Sequence, residues 1–205
     1  MNRKEEIILV TLELAAANGL SNVSMAQIAE KMGIQKPSLY NHFRSKEDII
    51  AAMYQYLREK SKEQLSLADI DYGEFIKDKS LEEALTQSVS NYSSMSTQGK
   101  MISFYKVIYS ERAVNPTAAR IMAEETKRMI SATKNLFYAL QVHKKICIRD
   151  IDIAAASFAL TVHAIMDYQL DCACSGEPVS EDMIQDYIKW FCDQFGGVDN
   201  EKNID

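Results

Sequence analysis

SMAQIAEKMGIQKPSLYNHFRSK, residues 24–46, reads as two short helices joined by a glycine turn, the second carrying an exposed polar face. Ser24 followed by Gln27 is a capping box. It satisfies backbone N–H groups and starts a helix at Met25, with Ile28 and Ala29 turned inward. Gly33 accepts positive φ and ends that helix, while Ile34 plugs the corner. Pro37 falls in the first turn of the second helix, where its missing N–H costs little, and Leu39 and Phe43 at i, i+4 anchor that helix inward. Lys36, Ser38, Tyr40, Asn41 and His42 are left for other faces. This is the layout of a helix-turn-helix, whose second helix lies in the DNA major groove with its N-terminal residues at base edges.

Residue chemistry divides the labour. A lysine donates to guanine O6/N7 and an asparagine amide pairs with adenine N6/N7, each good contact being worth about 1–3 kcal/mol of discrimination. Lys36 and Asn41 are therefore the expected base readers, and Pro37 and Ser38 suit a thymine methyl. Tyr40, His42 and Lys46 suit phosphate, and Lys46 opens a third helix whose N-terminal amides favour an anion.

The wider stretch Gly19–Ile50, GLSNVSMAQIAEKMGIQKPSLYNHFRSKEDII, is similar to the N-terminal domain of the tetracycline-repressor (TetR) family of regulators. I-A-x-x-x-G-I, L-Y-x-H-F and S-K-E-D stand in the family's order and spacing, and the resemblance covers residues 4–57, about a quarter of the chain. It implies that the positions matching Lys36, Pro37, Ser38, Tyr40, His42 and Lys46 contact DNA, and that Ser24 reaches a phosphate. It also implies a dimer and an effector pocket enclosed by the body helices of each subunit. Three positions depart from the family's pattern. Gln35 replaces a Ser or Thr cap, Ala26 is too short to reach a base, and Ala15 replaces a frequent Phe. The first two bear on which operator is read, the third on packing under the reading head.

The composition, 47% hydrophobic with seven Gly and three Pro in 205 residues, is that of a globular, helix-rich chain. MNRKEEIILV lacks a long apolar core and a small-residue cleavage site, so no secretory signal is expected and the location is read as cytoplasmic. The net charge of −6 is unevenly spread. Residues 1–62 hold nine Lys/Arg against seven Asp/Glu, leaving 14 against 22 for the rest. An acidic body weakens loose electrostatic attraction and leaves affinity to the cations of the head. Cys147, Cys172, Cys174 and Cys192 lack disulfide or zinc-knuckle spacing and are expected as free, buried thiols, with no metal and no cofactor. Catalysis is not expected either. His143 and His163 stand in no HExxH or nucleophile setting, there is no GxSxG or phosphate loop, and His163 with Asp167 reads as a satisfied core hydrogen bond.

Helix signals recur along the body. Ser45 and Asp48 open a helix to about Leu65, LADIDYGEFIKDK reads as a loop, and Ser80 with Glu83 opens a helix to about Ser96. After Gly99 comes MISFYKVIYSER. Asn115-Pro116 then caps a helix to about Val142, and Asp150 or Asp152 caps the next. DIAAASFALTVHAIMDYQL is apolar nearly all round and reads as too short and too interrupted to cross a membrane. A last helix starts at Ser180, with Glu181 and Asp182 in its first turn. The expected fold is all-α, with about nine helices. A three-helix helix-turn-helix domain over residues 1–50 precedes a larger helical effector-binding and dimerisation domain over 51–200.

Two C-terminal helices with more apolar surface than one core hides imply a homodimer, which suits a palindromic operator in double-stranded DNA. Met and aromatic side chains recur at helical spacing between them and the head. Tyr92, Met95, Phe104, Tyr105, Ile108, Tyr109, Arg112, Met122, Met129, Val162, His163 and Met166 form the candidate lining for a small apolar or amphipathic effector. The junction near Leu57–Leu67 is the expected transmission element. The alternative is a helix-turn-helix regulator controlled by a protein partner, or an activator without a small-molecule inducer.

Overall fold

The structure, a computed structural model, describes residues 2–65, 70–97 and 100–197, with the backbone path alone at 60–65 and 95–97. Among the described residues the chain forms ten α-helices and no strand. In order these are α1 (Arg3–Asn18), α2 (Met25–Lys31), α3 (Lys36–Tyr40), α4 (Lys46–Leu65), α5 (Tyr72–Ile76), α6 (Leu81–Thr97), α7 (Lys100–Glu111), α8 (Pro116–Val142), α9 (Ile151–Ser175) and α10 (Met183–Phe195), with a 3-10 turn at Leu20–Asn22. They pack as two compact units, Met1–Ala68 with Ser93–Glu125, and Asp69–Tyr92 with Thr126–Asp205.

The first unit contains the expected reading head and adds α7 and the start of α8. Ile7, Ile8, Leu12 and Ala15 of α1 share one buried cluster with Ile28, Leu39, Ile49, Met53, Phe104 and Ile108. Ala15, which stands in place of a frequent Phe, is itself closed off from solvent. Two carboxylates, Glu111 and Glu125, are buried inside this unit. The Glu125 carboxylate accepts from the Tyr54 hydroxyl and, at 3.0 Å, from the Tyr105 hydroxyl, and pairs with Arg58 Nη1 at 3.1 Å. A carboxylate with only 4% of its surface exposed requires such partners. Three helices, α4, α7 and α8, are thereby joined through one side chain.

The second unit centres on aromatic packing. Phe137 lies 5.5 Å from Phe158 and 5.4 Å from Phe191, and Phe158 lies 5.0 Å from Phe191, ring centre to ring centre. These spacings join α8, α9 and α10 at the separations aromatic pairs prefer. Ile76, Leu85, Leu140 and Ile188 close the cluster.

Several local expectations change. The segment expected as a loop holds α5, because Asp71 accepts from the Glu74 N–H at 3.1 Å and Phe75 and Ile76 have a core to enter. Leu67–Asp69 of that segment, and Gly99, lie outside the described residues. Asp150, not Asp152, caps α9, accepting from the Ile153 N–H at 3.1 Å. Asp152 instead binds Lys134 Nζ at 2.6 Å and the Tyr138 hydroxyl at 2.9 Å, which hold its carboxyl below the usual range. The last helix begins at Met183 rather than Ser180, whose hydroxyl accepts from the Asp182 N–H in the preceding turn, so Glu181 and Asp182 precede its first turn. At 25 residues α9 is long and apolar enough to cross a membrane, so the length argument against that fails. In this fold its Ala155, Phe158, Ala159 and Val162 are buried.

Losing one partner of a buried ion pair leaves the other uncompensated. Glu125→Leu is expected to lower unfolding free energy by about 3 kcal/mol in urea titrations. Combining it with Arg58→Met is expected to cost less than Glu125→Leu alone.

Candidate nucleic-acid interface

The reading head is set by local chemistry. The Ser24 hydroxyl accepts from the Gln27 N–H at 3.2 Å and donates to Gln27 Oε1 at 2.9 Å, and the Ser24 N–H donates to the same oxygen at 2.8 Å. The capping box is complete, which places the Ser24 hydroxyl in the cap itself. Gly33 adopts φ +65°, with open space around the position a Cβ would take, so backbone conformation rather than crowding selects glycine here. Its N–H bonds the Glu30 carbonyl and the next one, Ile34 N–H, bonds Ala29. The chain then turns into α3 without a side-chain cap from Gln35 and with Pro37 in the first turn.

α3 has five residues, with Leu39 fully buried beneath it and Phe43 nearly so. The opposite surface exposes Lys36, Pro37, Ser38, Tyr40 and Asn41 together, while His42 is half-buried at the helix end. Lys36 Nζ lies 5.9 Å from the centre of the Tyr40 ring, one turn on, so the cation and the aromatic face share one edge of this surface.

Lys46 is placed differently. It is half-buried and its Nζ donates to the Leu20 carbonyl at 3.0 Å. One of the α4 amides behind it, the Asp48 N–H, is already bound within the turn, which also carries acidic side chains. Ser45 Oγ accepts from the Asp48 N–H at 3.1 Å, Asp48 Oδ2 from the Arg44 N–H at 3.2 Å, and Glu47 and Asp48 bring negative charge into that turn. One contact escaped the sequence reading. Glu111, at the end of α7, accepts from the Ser21 N–H at 3.2 Å across 90 residues of sequence, and no local pattern announces such a partner.

Residues 7–53 match the family model described as bacterial regulatory proteins of the tetR family, and residues 83–195 match that of the AefR-like transcriptional repressor C-terminal domain. The chain belongs to the TetR family. TetR-family proteins are DNA-binding transcriptional regulators, typically repressors, and fold and family point away from an enzyme. One curated relative, the nucleoid occlusion factor SlmA of Vibrio cholerae serotype O1, is 32% identical over 60 residues. That match takes in 29% of this chain and 31% of the relative's length. A TetR-family regulator from Mesorhizobium loti superposes with a TM-score of 0.69 at 18% identity, covering 96% of this chain and all 100% of the other. A transcriptional regulator from Saccharomonospora viridis, solved in complex with choline, gives 0.66 at 17%, covering 94% and 97%. The flavonoid-responsive regulator FrrA gives 0.66 at 22%, covering 94% and 96%.

The expected effector residues are distributed over both units. Phe104, Tyr105, Ile108, Tyr109, Arg112 and Met122 belong to the first unit, and Tyr92, Met129, Val162, His163 and Met166 to the second. Phe104 and Ile108 are fully closed off and Val162 nearly so. Tyr92 stacks edge-on to His163 at 6.5 Å, and His163 Nδ1 lies 3.4 Å from Asp167 Oδ1, the pairing read from their spacing, although both residues are half-buried rather than in the core. The Met95 side chain lies outside what the structure describes. Among the described residues no cluster of three or more His, Cys, Asp or Glu is placed to hold a metal. The four cysteines are free, but Cys147 and Cys174 are exposed rather than buried. Burial and neighbouring carboxylates push the Cys192 thiol up to about 11.

Leu39 is the anchor of the reading surface. Leu39→Ala is expected to destabilise the chain by about 2–5 kcal/mol, seen as a lower melting temperature by circular dichroism.

Proposed function

We propose that this protein is a transcriptional repressor that binds a palindromic operator as a homodimer and leaves it when a small apolar or amphipathic molecule binds its body. The observation that carries the DNA half is the common exposure of Lys36, Pro37, Ser38, Tyr40 and Asn41 on a helix whose other side is buried. Lys36 and Asn41 read base edges and Pro37 and Ser38 pack on a thymine methyl. Tyr40 and His42 contact the phosphate backbone, as does Ser24 when its hydroxyl hydrogen turns from Gln27 Oε1 to a phosphate oxygen, joined by Lys46, whose ammonium has two donors beyond the one given to Leu20. The protein acts on DNA in the cytoplasm.

The dimer is supported by apolar surface left on the last two helices. Leu160 and Tyr168 of α9 and Trp190 of α10 are each about half exposed. Thr161, Ala164, Ile165 and Met183 join Leu160 and Tyr168 around a shallow depression. A two-fold contact of these faces forms a four-helix bundle and sets two heads for two half-sites.

The effector half rests on the body's aromatic, methionine and polar side chains. Tyr92, Tyr105, Tyr109, His163 and Met166 are half-buried and Arg112 is exposed, while Phe104, Ile108, Met122, Met129 and Val162 are buried. The choline complex and the flavonoid response of two proteins of like fold are precedents for small-molecule control on this scaffold. An effector shifts the operator-binding equilibrium by its differential affinity for the two states. About 3–5 kcal/mol changes occupancy by two to four decades. Transmission runs through the junction near Leu57–Leu67, of which residues 66 and 67 lie outside the described residues.

Selection of bound duplexes from a random pool is expected to return a palindrome. Lys36→Ala then relaxes preference at one position per half-site, and Lys46→Ala weakens all sequences alike. A non-palindromic consensus argues against the two-fold reading. Leu160→Glu is expected to yield monomers in size exclusion with light scattering and to weaken operator binding; a persisting dimer removes α9 from the interface.

A further inference from the structure

The peptide group between Leu20 and Ser21 is held at both ends. Its carbonyl oxygen accepts from Lys46 Nζ at 3.0 Å, and its N–H donates to Glu111 Oε1 at 3.2 Å. The cation comes from the first residue of α4 and the carboxylate from the last residue of α7. A peptide dipole is negative at oxygen and positive at N–H, so an ammenable pairing results: ammonium at one end and carboxylate at the other both attract it. Glu111 is only 8% exposed, and a carboxylate so placed requires a donor, which the Ser21 N–H supplies. The Leu20 side chain, fully buried, keeps the peptide from swinging away.

This peptide lies close to the reading surface in sequence and in cause. The 3-10 turn that contains it ends at Asn22, and Ser24 caps α2 two residues later. α2 leads through Gly33 into α3, so the orientation of the Leu20–Ser21 plane sets where α2 starts and where α3 is presented.

We infer that Glu111 is a positioning residue for DNA binding: it anchors the turn before α2 and makes the C-terminal end of α7 a direct support of the reading head. The inference rests on the DNA-reading proposal above. It assigns Glu111 no contact with DNA.

The test uses the full chain with Glu111→Met, Glu111→Asp and Glu111→Gln, and Lys36→Ala as the control for base reading. Operator affinity is measured over a range of salt concentrations, at temperatures well below each variant's melting point. Glu111→Met is expected to bind about tenfold more weakly, the size of one charge-assisted hydrogen bond. The slope of log K against log salt and the base preference stay as in the parent, because no phosphate or base contact is lost. Glu111→Asp, one methylene short, shifts affinity in the same direction, and decides the matter if the Met variant does not fold. Glu111→Gln, whose amide oxygen still accepts from Ser21, recovers most of the affinity. Parent-like binding by Glu111→Met, a reduced salt slope, or a Gln variant as weak as the Met variant each overturns the assignment. Absence of sequence-specific binding in the parent itself overturns the DNA reading, and the assignment with it, whereas intact parent binding confines a failure to Glu111.

Discussion

A five-residue helix cannot hold itself together. Nucleating a helical turn is unfavourable, and isolated helices this short are unstable in water, so α3 exists only because Leu39 is locked beneath it. Everything the reading surface presents follows from that burial. Leu39 belongs to one buried cluster with side chains of α1, α2, α4, α7 and the start of α8. The recognition surface is therefore a product of the whole first unit rather than of residues 24–46 alone.

Polar contacts give that unit its register where apolar packing alone is permissive. Hydrophobic clusters tolerate rearrangement at nearly constant volume, but a buried carboxylate has few acceptable arrangements. Glu125 with Tyr54, Tyr105 and Arg58, and Glu111 with Ser21, restrict how α7 and α8 lie against α1 and α4. Both acids come from beyond the head in sequence, yet both end inside the unit that carries it.

What the sequence disclosed follows the range of the forces involved. Ser24 with Gln27, Ser80 with Glu83, Asn115 before Pro116 and Gly33 were legible because each acts within four residues. Leu39 and Phe43 were legible because the helical period sets their direction. α5 was missed because five residues carry too little periodicity, and only the core that takes Ile76 stabilises it. Ser180 looked like a cap because the residue types fit, while the structure starts the helix at Met183. Of the candidate site, the exposed face of α3 was readable and the bond from Glu111 was not, since its partner is 90 residues away. The effector set was drawn from residue type and helical spacing, and which of the two units each side chain joins is set by packing that neither encodes.

The 20 residues of α4 make a rod about 30 Å long, tethered at its first residue by a 3.0 Å bond to Leu20. On a rod of that length, an ångström of travel at one extremity corresponds to only about 2° of tilt. Such an angle is small beside thermal wobble, yet hydrogen bonds to base edges tolerate only a few tenths of an ångström. The geometry thus gears a coarse displacement at one extremity down to a fine change of angle along the whole rod.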